Sequence, residues 1–218
     1  MNFIFPPTCL ACSVDLPLEN RCSLCPTCHQ SLLAGSTVSF KCPEPFKAMC
    51  WAGSYDGALR GLIHNAKYRG KDYVCDLLTT FCLNRWRVSI DLIDVLVFVP
   101  ASSWKWFVKG FHAPRSISQN VSRIWNKKIL FYPLKRRMWS SSQTKLHRQE
   151  RIQNAGRSFF LGSQSPEVRG KNVLLIDDVY TTGSTMIRCA KLLKKAGARE
   201  IFGAVVAYEP PGQAQLLS

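Results

Sequence analysis

Residues Val173 to Gly197 constrain the fold most tightly. Val173-Leu174-Leu175-Ile176 is a continuous apolar run that ends in two acids, Asp177 and Asp178. A strand apolar on both faces belongs in a parallel sheet covered by helices on both sides. Val179-Tyr180-Thr181-Thr182-Gly183-Ser184-Thr185 follows, rich in hydroxyls. Met186 to Ala196 then has helical spacing. Ile187, Ala190, Leu193 and Ala196 share one face, and Lys191, Lys194 and Lys195 lie mostly off it. Gly197 closes that helix, and Ile201 to Ala207 reads as a further buried strand. The pattern predicts an α/β chain with an open, doubly wound, mostly parallel sheet.

This arrangement has a chemical consequence. Two carboxylates stand at the carboxyl end of a strand, at the crevice where open α/β sheets bind ligands. The Thr181–Thr185 hydroxyls and amides meet a helix N-terminus, which attracts anions. Gly183 lets backbone approach a ligand closely. Phosphate in the turn, with a polyol or metal against the acids, is the natural pairing. Fold stability alone gives no reason for adjacent acids there.

A second buried strand is predicted over Asp94 to Val99, with its carboxyl end toward the same crevice. Gly57 to Tyr68 has helical spacing through Leu59, Leu62, Ile63 and Ala66. Lys67 and Arg69 end this segment. They either complement the helix dipole at a solvated end or contact an anionic ligand. His64 is expected to be partly buried without a role. Ile117, Val121, Ile124 and Trp125 also lie at helical spacing, with Trp125 expected to pack inward.

Seven of the ten cysteines fall in the first fifty residues. The apolar N-terminal residues Met1–Thr8 lack a basic start and carry Pro6 and Pro7, so no signal peptide is read. The run Val95–Trp104 has ten residues and contains Pro100. A membrane span needs about 20. The expected location is a reducing cytoplasm, where a disulfide framework is unexpected. Cys9-x-x-Cys12 and Cys25-x-x-Cys28 are two pairs separated by twelve residues. Two such turns facing each other make a tetrahedral thiolate cage for a structural Zn²⁺. Cys22-x-x-Cys25 is an equally valid pair; Cys25 and Cys28 are preferred. Cys75, Cys82 and Cys189 lie in apolar contexts and read as small buried hydrophobes. The expected division is a zinc ribbon or knuckle over 1–46, then the α/β domain over 47–218.

The chain of 218 residues carries a formal net charge of +15 on an ordinary globular composition. Residues 101–160 hold thirteen Lys or Arg against one acid, Glu150, a net +12. Trp104, Trp106, Trp125 and Trp139 fall in the same stretch, with Phe107, Phe111, Phe131, Tyr132, Phe159 and Phe160. Cations interleaved with rings suit a single-stranded nucleic acid, whose phosphates meet the charges while bases stack. A solvated face, or a clamp on a pyrophosphate by residues 135–137 and 145–151, accounts for the same charge.

Val173 to Thr185 also resembles the phosphoribosyl pyrophosphate (PRPP) signature of type I phosphoribosyltransferases, unbroken over thirteen residues. Tyr55 to Gly70, Leu96-Val97-Phe98-Val99-Pro100 with Lys109-Gly110-Phe111, and Ser142 to Asn154 are similar to blocks of the competence protein F family, in that family's order. That family joins a four-cysteine zinc motif to a phosphoribosyltransferase domain, and its better-known member acts in DNA uptake during natural transformation. The resemblance implies that Asp177 and Asp178 contact ribose hydroxyls. It implies that Thr181, Thr182, Gly183, Ser184 and Thr185 cradle the 5′-phosphate, with Mg²⁺ on the pyrophosphate. Lys67, Arg69, Lys105 and Lys109 are the local cations for that pyrophosphate. A competence helicase or translocase partner is implied in the same way. The chain departs from the family at His112, where many members have Asn. Cys42 and Cys50 also stand in place of a second C-x-x-C pair. The expected function is PRPP binding with handling of single-stranded DNA. The alternatives are an active transferase on an unknown acceptor, and a zinc-dependent DNA or protein adaptor with a vestigial pocket.

Overall fold

The computed structural model of the chain describes residues 7–17, 23–34, 42–69, 72–101, 112–136 and 158–209. Five strands form one parallel sheet. They are β1 (Ala48–Ser54), β2 (Val95–Phe98), β3 (Lys128–Leu130), β6 (Asn172–Tyr180) and β7 (Glu200–Tyr208), in the order β1-β7-β6-β2-β3. A separate two-stranded antiparallel ribbon pairs β4 (Leu134–Arg136) with β5 (Phe159–Leu161). The helices are α1 (Pro26–Ala34), α2 (Gly57–Arg69), α3 (Asp72–Leu83), α4 (Ala113–Trp125) and α5 (Ser184–Lys195).

The apolar runs produce this sheet because its strands are buried on both faces. Leu174 and Ile176 of β6 join one core cluster, with Leu62 and Ile63 of α2, Leu78 of α3 and Ile117 of α4. Val173 and Leu175 join the other, with Met186 and Leu193 of α5 and with Leu134 and Phe159 of the ribbon. Alternation along the central strand thus fills two cores, the doubly wound arrangement expected from the sequence. Cys75, Cys82 and Cys189 are fully buried in them, as their apolar contexts predict. The cysteine-rich N-terminal segment is not a satellite. Leu10, Leu16, Leu24 and Leu32 belong to the same cluster as α2 and α3.

Two readings of helix faces are corrected. His64 is exposed, because α2 turns Leu62, Ile63, Asn65 and Ala66 inward and leaves position 64 to solvent. Ile124 is 61% exposed, although Ile117 and Val121 on the same helix are fully buried. Trp125 packs partly against the core, as expected. Ile124 instead borders an open recess with Asp76, Thr79, Thr80 and Arg123, where no described residue covers it. The two isoleucines should therefore respond differently. In urea unfolding, Ile117→Ala should cost about 2–5 kcal/mol. Ile124→Ser should stay within about 0.5 kcal/mol of wild type. An equal cost at both positions would contradict this packing.

Candidate functional site

β6 carries Asp177 and Asp178 to the carboxyl end of the sheet, between β2 and β7. The Asp178 backbone N–H donates to Asp177 Oδ1 at 2.9 Å. Asp178 Oδ2 lies 2.9 Å from Lys67 Nζ, at the end of α2. Both partners are largely shielded, at 17% and 35% side-chain exposure, so this pair is stronger than a surface ion pair. Burial opposes the charge on Lys67, but the Asp178 carboxylate outweighs it and raises the Lys67 pKa. Asp177 has no such partner among the described contacts. Burial, then the neighbouring charge of Asp178, pushes it well above the usual carboxylate range.

The chain then turns through Thr181, Thr182 and Gly183 into α5. The helix starts at Ser184, two residues before the predicted start, so the Ser184 and Thr185 amides lie in its first turn, where no helical carbonyl receives them. Thr182 Oγ1 and Ser184 Oγ share a hydrogen bond of 2.8 Å. Gly183 has φ +74°, and a Cβ there would lie 2.0 Å from the Tyr180 hydroxyl, so only glycine fits. Asp177, Tyr180 and the whole Thr181–Thr185 turn line one recess. The structure therefore brings together the acids, the turn and Lys67. Arg69 is the last residue of α2. Lys105 and Lys109 lie outside the described residues.

Beside the carboxylates opens a cleft of about 450 Å³. Its walls carry Phe98, Phe131, Tyr132 and Phe160, with Arg115 and Arg136 among the cations. Phe98 ends β2, level with Ile176, one residue before Asp177. Its ring stands 5.8 Å from His112 and 6.1 Å from Phe131, and Arg115 lies over Phe131 at 5.2 Å. His112 precedes α4. Burial lowers its pKa to about 4 against the raising effect of the Asp178 charge, with Arg115, Lys67 and Arg136 adding to the lowering, so the imidazole is neutral at pH 7. Composition pointed to Phe131, Tyr132, Phe160 and Arg136. Phe98 and Arg115 were not foreseen, since a residue at a strand end and one on a helix share a cleft only in the folded chain. The other basic and aromatic residues of 102–111 and 137–157 lie outside the described residues.

The second grouping is at the N-terminus. The Sγ atoms of Cys9, Cys12, Cys25 and Cys28 all lie within 4.8 Å of one another and can hold a metal ion. The Cys9 loop is closed by the Cys9 amide on Val14 O at 2.8 Å and the Ser13 amide on Cys9 O at 2.9 Å. Cys25 stands immediately before α1, and Cys28 lies in its first turn. The Cys25 N–H donates to Cys9 Sγ at 3.3 Å. Burial raises Cys9, but such amide donors hold it down to about 6, which suits a thiolate ligand. Cys25 and Cys28 stand with Cys9 and Cys12 in this cluster; Cys22 lies outside the described residues. Cys42 and Cys50 form no second cluster, each donating to a backbone carbonyl instead.

The raised Asp177 pKa has a stability consequence. A carboxyl with a higher pKa folded than unfolded weakens the fold as pH climbs through that interval, upward from about 4. Asp177→Asn should therefore raise stability at pH 7 by about 0.5–2 kcal/mol and flatten its pH dependence. Lower stability of the variant in urea at pH 7 would count against it.

The phosphoribosyl transferase domain family matches residues 127–216. DNA utilization protein YhgH of Escherichia coli (strain K12) is 27% identical over 202 residues, covering 88% of this chain and 86% of that protein. Competence protein F of Haemophilus influenzae is 26% identical over 222 residues, covering 92% of this chain and 96% of the relative. Among solved structures, glutamine phosphoribosylpyrophosphate amidotransferase from B. subtilis has a TM-score of 0.45 at 17% identity, over 66% of this chain and 30% of that one. No helix among the described residues is long and apolar enough to cross a membrane. With a four-cysteine cluster, a parallel sheet and a phosphoribosyl transferase match over residues 127–216, the chain has the type I phosphoribosyltransferase fold and is similar over nearly its whole length to competence protein F and its DNA utilization relatives.

Proposed function

We propose that the chain binds PRPP with Mg²⁺ and holds single-stranded DNA in the adjoining cleft, as a competence-type protein of DNA uptake. The observation that carries this is the Asp177–Asp178 pair beside the hydroxyl-rich turn at the start of α5. Asp177 and Asp178 receive the ribose hydroxyls. Thr181, Thr182, Gly183, Ser184 and Thr185 take the 5′-phosphate at the positive helix end. Lys67 is the described cation nearest the pyrophosphate, Arg69, Lys105 and Lys109 are the further cations assigned to it, and Mg²⁺ neutralises the remaining charge. The four cysteines offer the soft, closed donor set of a structural Zn²⁺ site. This gives a zinc-holding segment over 1–46 and a phosphoribosyltransferase-like domain over 47–218, acting in the cytoplasm beside a helicase or translocase.

The DNA part is supported by the cleft chemistry and by the relatives' names, which speak of DNA utilization and competence. Rings beside guanidinium groups suit a base and its phosphate. The same cleft favours a second reading, transfer of the ribose-5-phosphate to a free base. Release of pyrophosphate across a panel of purines, pyrimidines and nicotinate separates the two. Silence across the panel leaves the binding role, and turnover establishes the transferase.

Two titrations test the main reading. With Mg²⁺, wild type should bind PRPP, and Asp177→Ala with Asp178→Ala should weaken it by about 10–100-fold, the loss of charge-assisted hydrogen bonds. No binding by wild type would refute it. For a labelled single strand, Tyr132→Ala should cost about 1–3 kcal/mol. Arg136→Ala should lower the slope of log affinity against log salt by about 0.7. Unchanged DNA binding in both variants would exclude the cleft.

A further inference from the structure

Helix α2 lies between the cysteine cluster and the carboxylate pair, and touches both. Gly57, Gly61 and Asn65 recur every four residues and so line one side of it. A Cβ on Gly61 would lie 2.1 Å from Ala11 O, so the helix rests on that carbonyl. Asn65 is buried and donates its Nδ2 to Leu10 O. Leu10 and Ala11 are the two residues between Cys9 and Cys12, so both contacts are made to the loop that presents two of the four sulfurs. Two residues beyond Asn65, on roughly the opposite side of the helix, Lys67 reaches Asp178 at 2.9 Å.

We infer that Asn65 and Gly61 are positioning residues: the metal-holding loop sets the place of Lys67 through α2, and metal occupancy and phosphoribosyl binding are coupled. An ion bound by both flanking cysteines fixes how the Leu10 and Ala11 carbonyls are presented. Without it, four sulfurs within 4.8 Å are left with no common partner, and the loop relaxes. α2 follows because its contact at Gly61 has no slack, and Lys67 moves with it. The coupling is reciprocal, so a ligand that engages Lys67 tightens the metal by the factor that the metal tightens the ligand. This rests on the reading that PRPP binds beside Asp178.

The test is a titration of PRPP and Mg²⁺ into the full chain: metal-loaded, metal-stripped, and metal-loaded Asn65→Ala. Stripping should weaken binding about fivefold or more. Asn65→Ala should weaken it in the same direction at unchanged metal content. In a Lys67→Met background neither change should weaken it further, an outcome that a general loss of structure does not give. Competition with a chromophoric chelator supplies the reverse readout: PRPP should raise metal affinity in wild type and not in Lys67→Met. Should the stripped chain lose its helical circular dichroism, the Asn65→Ala arm and the chelator competition decide. Equal PRPP affinity in all wild-type-background arms, or losses that persist with Lys67→Met, would overturn the coupling alone. Failure of wild type to bind PRPP would overturn it together with the reading beneath it.

Discussion

The site depends on one costly placement, a pair of adjacent carboxylates at the end of the central buried strand. Both flanking strands run parallel to β6, so main-chain pairing fixes where Asp177 and Asp178 stand. Moving two like charges out of water is unfavourable. The fold offsets that cost unevenly. Lys67 pairs directly with Asp178, whereas Asp177 receives one amide donor and only the more distant charges of Lys67 and Arg136, too little to offset its burial. A pair so unequally compensated is stabilised by a ligand that brings donors or a cation to the second acid. Fold stability at neutral pH is given up for a site ready to receive one.

The compensation has its own support. Lys67 sits on a helix whose far side is seated on the Cys9–Cys12 loop, and whose near side fills the core with Leu62, Ile63 and Ala66. The N-terminal segment therefore belongs to the same packed body as the sheet. That explains why Leu10 and Leu16, few residues from the sulfurs, are buried.

Much of this was legible in the sequence, and the limits have physical causes. The β6 run, the turn, α5 and β7 were readable because each feature is local. Burial on two faces, hydroxyls at a helix start and a glycine beyond its end leave marks within a few residues. The Cys25–Cys28 pair was preferred from spacing, and among the described residues its sulfurs gather with those of Cys9 and Cys12. What stayed hidden depends on distance along the chain. β4 and β5 are three residues each and pair across more than twenty positions, so neither has a period of its own. His64 was misjudged, and Ile124 is exposed within its apolar stripe, because a helical stripe tells which side is apolar and not what covers each position on it. Phe98, His112 and Arg115 gather at one cleft only through the crossover from β2 to α4.

The placement of charge, more than its amount, argues against a role in solubility alone. Lys128 with Glu167, Lys194 with Glu200, and Arg199 with Asp94 all form ion pairs. Lys128 and Glu200 open their strands, and Asp94 directly precedes β2. These pairs therefore neutralise the amino end of the sheet. At the carboxyl end, Arg115 and Arg136 lie over phenylalanine rings at 5.2 and 5.0 Å. The apolar face of a ring lowers the local dielectric beside a stacked guanidinium, which strengthens its attraction for an anion. A basic excess meant only to keep the chain dispersed has no reason to be matched by acids at one end of a sheet and backed by rings at the other. Among the described residues, the ring-backed cations therefore stand at the end of the sheet that holds Asp177, Asp178 and the Thr181–Thr185 turn.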